Sequence, residues 1–149
     1  MTLRPARIEE LAALSELCLR SKAVWGYDAA FLAACRTELT LQAADLEQSC
    51  VQVAESDGQV VGVAQVSVVS AQASLVKLFV DPLALRRGIG RRLLAWGMAV
   101  ARAQRACTLI IESDPGAAEF YRRMGARDAG FVPSGSIPGR MLPLLKLDL

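Results

Sequence analysis

The sequence predicts an α+β fold on a mixed central sheet, with elements in the order β-α-α-β-β-β-α-β-α-β-β. Three observations carry that expectation. Helical periodicity fills the first third of the chain, and β-branched runs separated by turn signals fill the middle. A strand, a glycine loop, a helix and a further strand then follow, a crossover that puts one parallel pair into an otherwise antiparallel sheet.

Each element has its own signal. Residues 2–4 read as a short first strand. Ile8, Leu11, Leu14, Leu17 and Cys18 recur at helical spacing, with Glu9, Glu10 and Glu16 between them. Residues 21–27, holding Trp25, Gly26 and Tyr27, read as an interhelical loop. Asp28 is an N-cap for a helix to residue 37, and residues 44–48 add a turn. Residues 50–55 form a strand, joined to 60–69 through Asp57-Gly58, a hairpin signal. Residues 74–80 supply the next strand, ended by Asp81-Pro82. A helix over 90–104 presents Ile89, Leu93, Trp96, Gly97 and Val100 on one face. Residues 107–112 are a strand, and 115–124 a helix with Pro115 in its first turn and Gly125 as its C-cap. Two strands, 129–132 and 141–147, close the chain around a loop. With no repeat and no long linker, residues 1–149 read as a single domain.

Composition narrows the chemistry. Hydrophobic residues make up 53% of the 149 and charged residues 21%, which gives a sizeable core and no case for disorder. Lys plus Arg number 17 against 15 for Asp plus Glu, a net of +2 that does not suggest a nucleic-acid binder. There is no histidine at all, which removes Ser-His-Asp and Cys-His catalysis and every His-ligated metal site. Cys18, Cys35, Cys50 and Cys107 are irregularly spaced without a C-x-x-C pair, so the expectation is no metal and mostly buried, reduced thiols. Residues 1–7 lack a signal-peptide core, and no apolar run reaches the roughly 18 residues of a membrane span. A cytoplasmic protein without a membrane partner is expected.

The informative stretch runs over residues 76–94. A strand ends at Val80-Asp81-Pro82, and Leu85-Arg86-Arg87-Gly88-Ile89-Gly90-Arg91-Arg92 opens an amphipathic helix. Glycines let backbone N–H groups approach a ligand, and a helix N-terminus offers unpaired donors at its positive end, so the loop suits a phosphate or pyrophosphate. A Walker loop is excluded because Gly90 is followed by Arg91-Arg92 rather than Lys-Ser/Thr. A dinucleotide fingerprint is excluded because Leu93 takes the place of its third glycine. A tight turn with solvated arginines is the competing interpretation of the glycines alone.

This segment resembles motif A of the GNAT superfamily of N-acetyltransferases, whose signature is Gln/Arg-x-x-Gly-x-Gly/Ala. Further on, Ser113-Asp114-Pro115-Gly116-Ala117-Ala118-Glu119-Phe120-Tyr121-Arg122-Arg123-Met124-Gly125 looks like the family's motif B. Motif order and separation match, and the element order agrees along nearly the whole chain. Two positions depart from the pattern. Leu85 stands where the family has Gln or Arg, and Asp114 stands where many members have an Asn that contacts the pantetheine arm.

The resemblance implies transfer of an acetyl group from acetyl-CoA to a primary amine by direct attack, without a metal. It implies that backbone groups of Leu78, Phe79 and Val80 bind the pantetheine arm, in the gap between residues 76–80 and 107–112. The pyrophosphate would lie over the N–H groups of Arg86, Arg87, Gly88, Ile89, Gly90 and Arg91, with Asp114 and Ala117 on the motif B side. Tyr121 is implied as the acid for the departing thiolate; without the resemblance, Phe120-Tyr121 read as core aromatics. Glu112 is the candidate general base by topology, with Glu38 and Asp28 as alternatives. Trp25, Tyr27 and Phe31 either wall an acceptor pocket or pack the two helices together. Cys35 and Cys107 read as buried structural thiols. The acceptor is expected to be a small-molecule or peptide amine, and a homodimer is expected from the family's habit. Two other classes of function compete: a CoA-binding sensory or structural protein without turnover, and a nucleic-acid-binding module on the clusters Arg86, Arg87, Arg91, Arg92, Arg102, Arg105 and Arg122, Arg123, Arg127.

Overall fold

The computed structural model describes every residue, Met1–Leu149. A seven-stranded sheet in the order β1-β2-β3-β4-β5-β7-β6 runs through it. Strands β1 (Thr2–Pro5), β2 (Cys50–Ser56), β3 (Gln59–Val69) and β4 (Gln72–Val80) form a continuous antiparallel ladder. Asp57 and Gly58 turn from β2 into β3 at φ 52 and 76, the paired left-handed residues whose twist suits a two-residue hairpin. Helix α4 (Ile89–Ala103) carries the chain from β4 across to β5 (Thr108–Glu112), the parallel neighbour. Strand β7 (Met141–Asp148) returns antiparallel to β5, and β6 (Arg127–Pro133) forms the far edge.

Strand alternation sends one set of side chains to each face of the sheet. Val51, Val53 and Val63 pack with Leu14, Leu17 and Cys18 of α1 (Leu11–Ala23) and Cys35 and Leu39 of α2 (Ala29–Leu39). A short α3 (Ala43–Gln48) completes that layer. On the opposite face, Ala64 packs with Leu93 of α4, and Val66, Leu109 and Ile111 pack with Leu94 and with Tyr121 of α5 (Ala118–Arg123). Leu93 and Leu94 are fully buried, so truncating either to alanine costs about 2–5 kcal/mol.

The feature that makes a site is the short parallel contact. β4 and β5 pair only at Gln72–Thr108, Ala73–Leu109 and Ser74–Ile110. Beyond that, β4 stays with β3 while β5 stays with β7, and the sheet opens into a gap. One extra residue, Val76, sits in β4 opposite the Gln65–Val66 step, a bulge that bends and twists the strand at the mouth of the gap. A buried polar group anchors it: Lys77 Nζ donates to Gln65 Oε1 (3.2 Å), and Gln65 Nε2 donates to Ser49 Oγ (2.9 Å) and Asp45 Oδ1 (3.2 Å). Lys77 is only 7% exposed, and a charge so buried survives only with such partners.

Four expectations change. Ile8 is exposed, because residues Ile8–Glu10 form a 3-10 turn ahead of α1 and its spacing to Leu11 is not that of an α-helix. α1 runs on to Ala23, shortening the loop before Asp28. The helix expected from Pro115 begins as a 3-10 turn, Pro115–Ala117, and α5 proper ends at Arg123. Cys107 is exposed, since it precedes β5 instead of lying within it; Cys18 and Cys35 are buried as expected, and Cys50 is half-buried. Burial pushes the Cys18 thiol up to about 12, so it stays protonated and inert near neutral pH.

Candidate active site

The open edge of β4 is the first component. Asp81 N–H donates to Val61 C=O at 2.8 Å, one step beyond the Gly62–Val80 pair that ends the ladder between β3 and β4. Antiparallel ladders alternate, so Phe79 also turns its backbone groups toward β3, while Leu78 and Val80 turn theirs toward the gap. The Phe79 carbonyl accordingly sits over Gly62, where an added Cβ would meet it at 3.4 Å. Of the three residues expected to bind an extended ligand through the backbone, Leu78 and Val80 face the gap and Phe79 faces away from it.

The second component is the start of α4. Asp81 caps the 3-10 turn Pro82–Ala84, accepting from Leu83 N–H at 2.9 Å and pairing with Arg20 at 3.0 Å. Partial burial raises its carboxyl pKa, but the Leu83 bond and the Arg20 charge outweigh that and hold it below 3.8. The chain then passes through left-handed conformations at Arg86 (φ 65) and Gly88 (φ 77) before the helix begins. The first bond of the helix to this loop is Arg92 N–H to Gly88 C=O (3.1 Å), which leaves the N–H groups of Ile89, Gly90 and Arg91 free. Arg86, Arg87 and Arg91 are exposed around them and join no ion pair; Leu85 is 45% exposed beside them. Free donors at the positive end of a helix, ringed by unpaired guanidiniums, fit a pyrophosphate.

Across the gap lie the residues of motif B. A cleft of about 300 Å³ is lined by β4 on one lip and by Glu112, Ser113, Asp114, Ala117 and Tyr121 on the other. Tyr121 is 6% exposed and faces the cleft with its hydroxyl free of any protein hydrogen bond. Burial, then the charge of Asp114, pushes its phenol well above 10.0, so it holds its proton throughout the neutral range. Glu112 projects from the opposite face of β5 to the buried Ile111, exposed, lining the cleft and outside every ion pair.

The helical layer closes the other side. Glu38 of α2 lines the cleft and accepts a short hydrogen bond from Ser136 Oγ. Asp28 does not reach the cleft; its carboxylate is used as the α2 cap, accepting from Phe31 N–H at 2.8 Å. Tyr27 and Phe31 stack at 3.9 Å, and the Arg140 guanidinium lies over both rings. Trp25, 47% exposed, rests on Gly116, where an added Cβ would approach the indole to 2.7 Å. Asp114 is engaged at both oxygens: Oδ1 accepts from Gly116 N–H (2.9 Å), and Oδ2 accepts from Tyr27 Oη (2.8 Å) and Lys22 Nζ (3.2 Å). Lys22, Arg140 and the Lys77–Gln65 pair carry no local sequence signal, because their partners lie far along the chain.

A sheet split by a bulge, with an exposed strand edge leading to a helix N-terminus, defines the fold of acyl-CoA N-acyltransferases. The acetyltransferase (GNAT) domain family matches residues 47–125, and the chain belongs to that family, whose members transfer acetyl groups from acetyl-CoA to amines. No curated protein matches by sequence. The fold is similar to that of a GCN5-related N-acetyltransferase of Rhodopseudomonas palustris (22% identity, 99% and 95% of the two chains covered, TM-score 0.81). It is also similar to the PaiA N-acetyltransferase of Thermoplasma acidophilum in complex with coenzyme A (15%, 99% and 98%, TM-score 0.79). A third likeness is to the ribosomal-protein-alanine N-acetyltransferase of Brucella melitensis (26%, 100% of both chains, TM-score 0.72). No helix is long and apolar enough to cross a membrane.

Proposed function

We propose that residues 1–149 work as a single acetyltransferase domain, in the cytoplasm, on a small-molecule or peptide primary amine held between β4, β5 and the α1–α2 layer. The cosubstrate supplies the activated acetyl thioester. Leu78 and Val80 hold its extended arm through outward backbone groups, and the free N–H groups of Ile89, Gly90 and Arg91, with Arg86, Arg87 and the Gly88 turn, hold its pyrophosphate. A backbone N–H aimed at the thioester oxygen contributes about 3–4 kcal/mol to such a transfer. Ala117 borders the arm from the motif B side.

The observation that carries this is the open edge of β4 leading directly to the unpaired start of α4. Tyr121 supplies the proton to the departing thiolate: its hydroxyl is free, it faces the cleft, and it is protonated at neutral pH. A phenol pushed above its ordinary value is a weak acid, so its contribution is modest. Glu112 takes a proton from the incoming ammonium through water, and Glu38 stands on the same side as a second carboxylate. Both lie outside every ion pair and favour a cationic acceptor.

The test is thiol release from acetyl-CoA with L-lysine, spermidine, tyramine, an aminoglycoside and an alanine-initiated peptide, run beside calorimetric binding of acetyl-CoA. Amine-dependent release is expected with at least one of these. Binding without release across the panel would favour a non-catalytic CoA-binding protein; no binding at millimolar acetyl-CoA would overturn the assignment.

A further inference from the structure

Asp114 stands where the sequence suggests a contact with the pantetheine arm, yet its carboxylate is consumed by the protein. Oδ1 caps the Pro115–Ala117 turn through Gly116 N–H. Oδ2 accepts from Tyr27 Oη (2.8 Å) and Lys22 Nζ (3.2 Å), and Arg140 Nη2 lies 3.8 Å away. Arg140 Nη2 also donates to Tyr27 Oη at 2.5 Å, so the phenol donates to the acid and accepts from the base. The side chains of Asp114 and Lys22 are 11% and 14% exposed, sheltered enough for the pairing to matter. One carboxylate thus joins the end of α1, the loop before α2, the turn after β5 and the residue that opens β7.

We propose that Asp114 is a positioning residue for the acceptor: it ties the α1–α2 loop and Arg140 to the motif B turn, and so builds the wall of the acceptor side of the cleft. The proposal rests on the acetyltransferase assignment only in calling that side the acceptor's. The tie holds Trp25 on Gly116 and keeps the Tyr27–Phe31 stack beneath the Arg140 guanidinium. Asparagine, nearly the same in shape, would keep the Gly116 cap and a bond to Tyr27, but it would leave Lys22 and Arg140 without their counter-charge. The loop would loosen while the β4 edge and the α4 N-terminus stayed as they are. The departure from the family pattern at 114 therefore acts on the acceptor, not on the cofactor. It also offsets one of the two positive charges it meets, those of Lys22 and Arg140, while Glu38 and Glu112 line the cleft outside every ion pair.

The experiment compares Asp114→Asn and Tyr27→Phe with wild type by hydrogen exchange over residues 22–31 and 134–140, by acetyl-CoA calorimetry, and by steady-state kinetics with the fastest amine of the panel. Both variants should exchange roughly tenfold faster in those segments, with β2 and α4 unchanged. Acetyl-CoA affinity should stay within about twofold, while the acceptor KM rises about tenfold and kcat changes little. Exchange unchanged in both variants would overturn the proposal. So would Asp114→Asn weakening acetyl-CoA binding about fivefold or more with the acceptor KM unmoved, because that is the behaviour of a cofactor ligand. If Asp114→Asn fails to fold, Tyr27→Phe tests the other end of the same bond. If wild type itself binds no acetyl-CoA, the acetyltransferase assignment falls, and the exchange data still decide whether Asp114 ties the loops.

Discussion

Tyr121→Phe isolates one proton. The ring is 6% exposed, packs edge-on against Phe120 at 5.1 Å between centroids and belongs to the core cluster with Ile111 and Leu145. Phenylalanine keeps that packing. The hydroxyl makes no hydrogen bond to the protein, so its removal strands no buried partner, and stability should change by less than about 1 kcal/mol. Acetyl-CoA affinity should also hold, because the expected binding groups lie on β4 and α4. If Tyr121 protonates the leaving thiolate, kcat should fall by about 10²-fold or less, the lower end for general acid catalysis. The loss is bounded because a thiolate can leave without full protonation and because the raised phenol pKa makes Tyr121 a weak donor. The assay is thiol release at saturating acetyl-CoA and amine, across pH, with Glu112→Gln in parallel. Removing the base should cost most at neutral pH and progressively less as pH rises, since the amine then deprotonates unaided; removing the acid should not show that recovery. Unchanged kcat in Tyr121→Phe, or a variant that unfolds, would return Tyr121 to a packing role.

Acetyl-CoA should raise the melting temperature by mass action, and Gly90→Glu should abolish the shift. A Cβ at Gly90 meets only ordinary contacts, with Phe120 at 3.6 Å and Val80 at 3.7 Å, so the effect would come from the anion placed among the free N–H groups; a retained shift would refute the phosphate site. Turnover should survive EDTA, because no group of three His, Cys, Asp or Glu side chains is placed to hold a metal; a loss restored by zinc or magnesium would contradict this. Both tyrosines should resist ionisation. Burial, then the bond to Asp114, raises Tyr27, and burial, then the Asp114 charge, raises Tyr121, each above the ordinary 10.0. The fold favours the protonated phenols, so this contribution to stability is complete below pH 10 and is lost as pH rises through the folded values. Absorbance titration should therefore show phenolate appearing above pH 10 together with alkaline unfolding; a tyrosine titrating normally in the folded protein would refute it.

What was legible in the sequence was local. Asp57-Gly58 announces its hairpin because a paired left-handed turn accepts few other residues, and Asp28 announces α2 because its carboxylate bonds an N–H three residues on. The glycine loop before α4 is equally local: turn, free donors and flanking arginines all fall within a few residues. The bulge at Val76 was not legible, because it depends on the register between β3 and β4 and on a buried Lys77 tied to Gln65, itself held by Ser49 and Asp45. Nor was Phe79's turn toward β3, which follows from ladder alternation counted back from Asp81. Ile8 and Cys107 lie at element boundaries, where a periodic pattern runs past the helix or strand that gives it meaning.

The same division separates the cosubstrate side of the cleft from the acceptor side. The expected acetyl-CoA site uses the backbone of one strand edge and one helix start, and its geometry is written by consecutive residues. The proposed acceptor side is built on Lys22, Glu38, Glu112 and Asp114, which line the cleft, with Tyr27 and Arg140 behind them, and these meet only when α1, α2, β5 and β7 are packed. Charge there is settled by pairing rather than by count. Lys22 and Arg140 share the single carboxylate of Asp114, Lys77 bonds only the neutral Gln65, and Glu38 and Glu112 face the cleft outside every ion pair. Removing both negative charges by Glu38→Gln and Glu112→Gln together should weaken a cationic acceptor most at low ionic strength, where unscreened charges steer binding. A salt-independent loss would mean that the two carboxylates act only in proton transfer.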